Sequence, residues 1–320
     1  MNILVAVPNS NFNIDDIKQS FAANHSFAND HVYYNVEHPD IDLDQIDVLV
    51  GYDGKLLDQM LASPNSRLKW VQALSAGVDY LPLKQLQAHN VILTTVKGIH
   101  AEPIAESTVG MILSQYRFLN EAARAQGWLK PTHQLKMIKN KNAVIFGTGH
   151  IGSRIAELLD AFGANPIGVN HSGHPAAAFK QTASTDDLDN PLITGADIIV
   201  NALPLTPATT NLYNADFFNR LTNQPIFLSI GRGPSTNTAD LLAAIQDHRL
   251  GAAGLDVTDP EPLPADDPLW REPNVLITSH ISGLHAEYMD EALAILEKNL
   301  QQFKQDGTVA INQVDFSKGY

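Results

Sequence analysis

The sequence contains no cysteine, which excludes a disulfide framework, a thiolate metal site and a cysteine nucleophile. Basic residues are also scarce, because 21 lysines and arginines stand against 35 aspartates and glutamates and leave a net charge of −14 over 320 residues. A surface this acidic does not follow a phosphate backbone over a broad face, so we expect no nucleic-acid partner. Charged residues make up only 18% of the chain and hydrophobic residues 44%, which excludes a disordered chain.

Long apolar runs are absent as well. The apolar opening from Met1 to Pro8 is too short for a signal peptide and lacks a basic flank. No run reaches the roughly 20 residues that a membrane-spanning helix needs, so we expect a cytoplasmic protein with no membrane partner. The 12 histidines include no H-E-x-x-H pair and no spacing that brings three ligands together, so we predict no metal site.

Short apolar runs alternate with helical patterns from end to end, which is typical of βαβ units around a parallel sheet. At roughly 150 residues per domain the length predicts two domains, and the pattern places a boundary near residue 100. Helices are predicted over about Glu102–Phe118, Ile151–Phe162, Thr238–Gln246 and Ala286–Phe303. Periodicity alone leaves open whether the last of them folds back onto the first domain. The predicted strands are Ile3–Val7, His31–Val36, Val48–Gly51, Trp70–Leu74, Ile92–Val96, Ala143–Phe146, Pro166–Val169, Asp197–Ala202, Ile226–Ile230, Ala252–Val257 and Val275–Thr278.

A glycine-rich loop follows one of these strands and opens a helix. Its first glycine permits a tight turn, its second lets the backbone approach a pyrophosphate, and its third allows close helix–strand packing. An ordinary strand–turn–helix can carry the same glycines, but the strand, the helix and the spacing together favour dinucleotide binding. The predicted cofactor loop is Gly147-Thr148-Gly149-His150-Ile151-Gly152.

The next predicted strand ends in Asn170, His171 and Ser172, where a dinucleotide site usually has an Asp or Glu for the ribose hydroxyls. A carboxylate at this position would repel a 2′-phosphate, whereas these three side chains can donate hydrogen bonds to one. We therefore favour NADP over NAD as the cofactor, without excluding NAD. The alternative is a solvated turn with no role in cofactor choice.

Three polar residues follow three successive predicted strands: Arg232, Glu261 and His280. In a doubly wound sheet the chemistry gathers beyond the carboxyl ends of the strands. A guanidinium can bind a carboxylate through two parallel hydrogen bonds and polarise a carbonyl. An imidazolium held by a carboxylate can protonate the carbonyl oxygen as hydride reaches the carbon, so the set suits reduction of a 2-oxo acid. Each residue alone could be an ordinary loop residue.

These motifs resemble the D-isomer-specific 2-hydroxyacid dehydrogenase family, and the glyoxylate/hydroxypyruvate-reductase-like branch most of all. The resemblance covers nearly the whole chain in the correct order. It implies a Rossmann-type doubly wound parallel sheet over residues 100–284 that binds the dinucleotide. It also implies a smaller flavodoxin-like α/β domain for the substrate, built from residues 1–99 and 285–320, and a homodimer. The matching segments are Ser75–Asp79, Asn201–Pro207, Ser229–Pro234, Leu255–Val257 with Glu261–Leu263, Pro268–Trp270 and Thr278–Gly283.

The resemblance also assigns roles to single residues. It implies that Arg232 binds the substrate, that Glu261 supports the histidine, and that His280 is the acid/base of an NAD(P)-dependent interconversion of a small 2-oxo acid and a D-2-hydroxy acid. Backbone N–H groups around Ala76 and Gly77 would bind the substrate carboxylate. The remaining implied cofactor contacts are Pro204, Ile230, Gly283 and Asp256, the last at the nicotinamide carboxamide.

The substrate side chain is not identified by the sequence, although Tyr80, Trp270 and Tyr288 are candidate pocket residues. A second class of function is also open. C-terminal binding proteins resemble dehydrogenases but are non-catalytic cofactor-sensing proteins, and they usually carry long disordered flanks that this sequence does not show.

Overall fold

The computed structural model describes residues 1–7, 14–34, 41–131 and 135–317. The chain divides into two compact units, which we call the terminal unit, Met1–Ile99 with His285–Tyr320, and the central unit, His100–Leu284. No helix within the described ranges combines the length and apolarity that crossing a membrane requires.

The first part of the terminal unit is a parallel five-stranded sheet. Its strand order is β2-β1-β3-β4-β5, which is the flavodoxin-like order. Strands β3 and β4 are buried along their whole length, which explains why they are continuous apolar runs in the sequence. The predicted strand His31–Val36 is observed as His31–Tyr34, and its last two residues lie outside the described residues. The elements are β1 (Asn2–Ala6), α1 (Ile14–Ala23), β2 (His31–Tyr34), β3 (Val48–Gly51), α2 (Gly54–Ala62), β4 (Trp70–Gln72), α3 (Leu83–Ala88) and β5 (Ile92–Thr94).

The central unit contains a parallel seven-stranded sheet with the Rossmann order. From one edge to the other the strands run β8-β7-β6-β9-β10-β11-β12, and the direction of the winding reverses beside β6. The elements are α4 (Ala101–Tyr116), α5 (Leu119–Arg124), β6 (Asn142–Phe146), α6 (His150–Ala161), β7 (Asn165–Asn170), β8 (Gln181–Ser184), α7 (Pro191–Thr194), β9 (Ile198–Asn201), α8 (Ala215–Asn219), β10 (Ile226–Ser229), α9 (Thr238–Gln246), β11 (Ala252–Leu255) and β12 (Val275–Ile277).

The chain returns to the terminal unit in a long final helix, α10 (Tyr288–Asp306). Its buried stripe includes Leu293, Leu296 and Leu300 and packs in the same hydrophobic cluster as residues of β1, β3 and β4. The ring of Phe303 lies 5.4 Å from that of Trp70 on β4. The predicted α/β fold, a Rossmann-type sheet with a smaller flavodoxin-like part built from both chain ends, is confirmed.

Candidate active site

The loop between β6 and α6 has the geometry of a phosphate cradle. Gly147 has a φ of +105°, which a residue with a side chain rarely adopts. A Cβ on Gly152 would lie 1.8 Å from the carbonyl oxygen of Gly147, so the helix approaches the loop more closely than any other residue allows. Gly149 caps α6 without a side chain, and the space around it is open. The first N–H groups of α6 are thus left for an anion, and the loop fits the pyrophosphate of a dinucleotide.

The end of β7 is organised by Asn170. Its Nδ2 donates hydrogen bonds to Thr148 Oγ1 (3.3 Å) and His174 O (3.0 Å), and its Oδ1 accepts one from His174 N (3.1 Å). One hydrogen of the amide therefore connects the end of β7 to the phosphate loop, and the other closes the turn after β7. The exposed donors at this strand end are His171 and Ser172, so they are better placed than Asn170 to bind a 2′-phosphate.

The candidate catalytic residues follow three neighbouring parallel strands, β10, β11 and β12. The last residues of these strands are in register, because Ser229 pairs with Leu255 and Leu255 with Ile277. The carboxyl ends of the strands therefore lie at one edge of the sheet, and the segments with Arg232, Glu261 and His280 leave from that edge.

His280 and Glu261 are in direct contact. The Nδ1 atom of His280 lies 2.7 Å from Oε1 of Glu261, and both side chains are a little less than half exposed. The contact with the carboxylate fixes the orientation of the ring. Because Nδ1 faces the carboxylate, Nε2 is the nitrogen available for proton transfer to a substrate. The predicted pair is thus formed in the structure.

The loop that presents His280 is wrapped around the buried carboxylate of Asp256. This carboxylate accepts hydrogen bonds from Thr278 Oγ1 (2.6 Å), Ile281 N (3.0 Å), Ser282 N (3.1 Å) and Ser282 Oγ. The carbonyl oxygen of Asp256 accepts a further bond from His280 N. His280 itself has a φ of +55°, a conformation that costs a non-glycine residue energy and that these bonds hold in place. Asp256 therefore positions the histidine, a role that the sequence did not indicate.

The turn that carries Arg232 is supported from the neighbouring strand β9. Buried Asn201 donates to Ser235 Oγ (2.8 Å), and Ser235 Oγ donates to the carbonyl oxygen of Arg232 (2.6 Å). A Cβ on Gly233 would lie 1.8 Å from Thr258 O, so the arginine turn packs directly on the segment that leads to Glu261. In the sequence, Asn201 belongs to the segment Asn201–Pro207, and the signal for its supporting role is an asparagine at the end of an apolar strand.

The other predicted cofactor residues lie at the same ends of the strands. The side chain of Ile230 is buried in the core, so its contact with a cofactor would be through the backbone. Pro204 is exposed after β9. A Cβ on Gly283 would lie 3.0 Å from the ring of His100, so a side chain at this position would require that ring to shift. Within the described ranges, no group of three or more acidic, histidine or cysteine side chains could hold a metal ion.

In the terminal unit, the segment Leu74–Gly77, which we call the carboxylate turn, forms hydrogen bonds through more of its carbonyl groups than of its N–H groups. The carbonyl oxygens of Leu74, Ser75 and Gly77 each accept a hydrogen bond. Among the described residues, no hydrogen bond uses the N–H groups of Ala76 or Gly77. Two neighbouring N–H groups of this kind can bind a carboxylate.

The structure does not place Tyr288 at a pocket surface. Its ring is 5% exposed within the core of the terminal unit, and its hydroxyl donates to Leu74 O. The prediction that Tyr288 lines the substrate pocket was therefore wrong. Tyr80 and Trp270 are nearly half exposed and remain candidates.

Comparison with known proteins agrees with this geometry. A family model described as "D-isomer specific 2-hydroxyacid dehydrogenase, NAD binding domain" matches residues 109–282. The human protein named glyoxylate reductase/hydroxypyruvate reductase is 34% identical over 235 residues, which are 70% of each chain. The crystal structure of phosphoglycerate dehydrogenase from Lactobacillus plantarum is 38% identical with a TM-score of 0.55, covering 98% of this chain and all of that one. A structure of the NADPH-dependent glyoxylate/hydroxypyruvate reductase from Sinorhizobium meliloti is 26% identical with a TM-score of 0.84, covering 100% of this chain and 99% of that one.

A Rossmann-type sheet with a phosphate loop, and with an arginine turn and a histidine–glutamate pair at neighbouring strand ends, defines an NAD(P)-dependent dehydrogenase. The chain belongs to the D-isomer specific 2-hydroxyacid dehydrogenase family. It is an NAD(P)-dependent oxidoreductase that acts on 2-oxo and 2-hydroxy acids. The predicted family, its glyoxylate/hydroxypyruvate-reductase-like branch and the predicted enzyme class are confirmed.

Proposed function

We propose that the protein reduces small 2-oxo acids of the glyoxylate and hydroxypyruvate type to D-2-hydroxy acids, with His280 as the acid/base and NADPH as the preferred cofactor. The observation that carries this proposal is the contact of His280 with Glu261 at strand ends that are in register with the end of β10, which leads to Arg232. The relatives named glyoxylate/hydroxypyruvate reductase support the substrate class.

The reaction needs a hydride at the carbonyl carbon and a proton at the carbonyl oxygen. The reduced nicotinamide, when bound, supplies the hydride. His280 donates the proton from Nε2 to the oxygen, and Glu261 stabilises the protonated ring before the transfer. Arg232 polarises the carbonyl and binds the substrate with its forked donors. In the terminal unit, the N–H groups of Ala76 and Gly77 are the proposed donors to the substrate carboxylate.

The cofactor preference rests on the end of β7. No carboxylate occupies the position of Asn170, and the exposed side chains of His171 and Ser172 can donate to a 2′-phosphate. The side chain of His171 is 89% exposed and is therefore accessible to a ligand phosphate. The NADPH-dependent relative from Sinorhizobium meliloti supports the same choice.

The oligomeric state and the location are part of the proposal. Trp128, Met137 and Leu119 are 89%, 64% and 55% exposed in the central unit. Large apolar side chains in one region of sequence favour burial against a second copy of the chain. We propose a cytoplasmic homodimer that buries them. Light scattering of the wild type and of the double variant Trp128→Ser, Met137→Ser tests the dimer, and a wild-type monomer would contradict it.

The activity is tested by following NADPH and NADH oxidation with glyoxylate, hydroxypyruvate, pyruvate, 3-phosphohydroxypyruvate and a bulky 2-oxo acid. We expect turnover with the small unbranched acids, a higher kcat/KM with NADPH, and D-configured products from the prochiral acids on chiral chromatography. Cofactor binding without oxidation of any of these acids would overturn the proposal in favour of a non-catalytic, cofactor-sensing protein.

A further inference from the structure

Tyr288 makes a hydrogen bond with a residue that is distant in the sequence. It is the first residue of α10, and its buried hydroxyl donates a 2.8 Å hydrogen bond to the carbonyl oxygen of Leu74, 214 residues away. Burial, and secondarily the nearby Tyr80, raise the pKa of Tyr288 above its ordinary value. The phenol is therefore protonated at neutral pH, and its hydroxyl is a hydrogen-bond donor.

A second hydroxyl acts on the same turn. Ser75 Oγ donates to Gly77 O (2.7 Å) and lies 2.8 Å from the hydroxyl of Tyr80. A serine hydroxyl has one hydrogen, which Gly77 takes, so Tyr80 is the donor in the other bond. The turn is thus closed by Ser75, and Ser75 is held in its rotamer by Tyr80.

These contacts decide which polar groups of the carboxylate turn remain for a ligand. The carbonyl oxygen of Leu74 is held by Tyr288, that of Ser75 by Val96 N, and that of Gly77 by Ser75 Oγ. A carbonyl oxygen that rotated towards a bound carboxylate would repel it, because the oxygen carries a partial negative charge and the carboxylate a full one. Three of the four carbonyl oxygens of the turn are thus held by hydrogen bonds, while the N–H groups of Ala76 and Gly77 make none among the described residues.

We propose that Tyr288 and Ser75 are positioning residues, which fix the carboxylate turn so that the N–H groups of Ala76 and Gly77 bind the carboxylate of the 2-oxo acid. Neither side chain needs to touch the substrate. The inference rests on the proposed function and adds to it a device within the terminal unit that sets substrate affinity.

The test is the variant Tyr288→Phe, which keeps the ring and removes the hydroxyl, together with Ser75→Ala and the conservative Ser75→Thr. We expect Tyr288→Phe and Ser75→Ala to raise the KM for glyoxylate and the Kd of oxamate about three- to tenfold each, the effect of one hydrogen bond. The kcat and the KM for NADPH should stay within about twofold, because the lost interaction serves ground state and transition state alike. Ser75→Thr retains the hydroxyl and should restore oxamate affinity.

Tyr116→Phe is a matched control. Tyr116 is also 5% exposed, and its hydroxyl also donates to a backbone carbonyl, that of Asp197, which precedes β9 at the opposite end of the strand. It should lower the thermal midpoint without raising the KM for glyoxylate or the Kd of oxamate.

The inference is overturned if the wild type turns over glyoxylate and binds oxamate, while Tyr288→Phe and Ser75→Ala lose only stability, as Tyr116→Phe does. If the wild type neither oxidises NADPH with any 2-oxo acid nor binds oxamate by calorimetry, the proposed function fails and the inference falls with it. The two failures are therefore distinguished by the wild type alone.

Discussion

Glu261 and His280 are nineteen residues apart and follow different strands, yet Oε1 of one lies 2.7 Å from Nδ1 of the other. The contact exists because β11 and β12 are parallel and end in register, so that the two segments leave the same edge of the sheet. It also shows why the pair is a unit, since a histidine without the carboxylate loses its orientation as well as the partner of its positive charge.

The first prediction concerns this pair. His280→Ala removes the proton donor and should lower kcat/KM for glyoxylate by about a hundredfold or more. Glu261→Gln keeps a hydrogen-bonding group but removes the charge that stabilises the imidazolium, so a loss of about tenfold is expected. Cofactor affinity, measured by fluorescence titration with NADPH, should not change in either variant. Near wild-type turnover by His280→Ala would remove His280 from the mechanism.

The second prediction separates charge from geometry at Arg232. Lysine keeps the positive charge but cannot form two parallel hydrogen bonds, so Arg232→Lys should lose about tenfold or more in kcat/KM, and Arg232→Ala about a hundredfold or more. Arg249→Ala, an exposed arginine after α9, is the control and should behave as wild type. Equal activity of the lysine variant and the wild type would show that the two parallel hydrogen bonds of the guanidinium do not contribute to the reaction.

The third prediction concerns Asp256. Four hydrogen-bond donors point at the carboxylate of Asp256. In Asp256→Asn the NH₂ group of the new amide replaces one carboxylate oxygen, so a donor of the side chain faces a donor of the loop. We expect a loss of about 3 kcal/mol in the free energy of unfolding and a large fall in kcat, because the loop with His280 relaxes. Ser282→Ala should lose only about 1 kcal/mol and retain most of the activity. Urea unfolding and steady-state kinetics measure both, and an Asp256→Asn enzyme with wild-type kcat would contradict the positioning role.

The sequence predicts those structural features of this protein whose signal lies within a few neighbouring residues. The eleven predicted strands are all observed, and those buried on both faces, such as β3, β9 and β10, are continuous runs of mainly apolar residues in the sequence. Strand β8 was missed, since Gln181–Ser184 is a short polar segment at the sheet edge that pairs only with β7. This segment is a strand because it pairs with β7, and its own residues show no apolar pattern that predicts a strand.

The same distinction holds in the candidate site. Arg232, Glu261 and His280 could be chosen from the sequence because each is a polar residue just beyond an apolar run. The functions of Asp256 and Tyr288 could not, since Asp256 acts on a loop that follows another strand and Tyr288 on a carbonyl 214 residues away. Such roles become visible only when the hydrogen-bond partners are known.

The fourth prediction distinguishes two residues at the end of β7. His171→Ala should raise the KM for NADPH about tenfold and leave that for NADH unchanged, because the proposed contact of its side chain is with the 2′-phosphate, which NADH lacks. Asn170→Ala should weaken both cofactors, since it unties the turn from Thr148 of the phosphate loop. His89→Ala, in the terminal unit, serves as the control. Equal effects of His171→Ala on both cofactors would contradict the assignment of this position to the 2′-phosphate.

The fifth prediction concerns the docking of α10 and its dependence on pH. Glu297 on α10 accepts hydrogen bonds from Ser26 and from Asn24 Nδ2 (2.9 Å), and these bonds hold the pKa of Glu297 below its ordinary 4.5. A depressed pKa means that the stabilisation is fully present above pH 4.5 and is lost as the pH falls through the lower, folded-state value. Glu297→Gln should therefore lower the urea midpoint at pH 7, and the difference from wild type should shrink below pH 4.5. Since the side chain of Glu297 is only partly buried and water screens its charge, the effect at pH 7 should be under about 1 kcal/mol. A difference that stays constant down to pH 3 would mean that the charge of Glu297 contributes nothing to the docking of the helix.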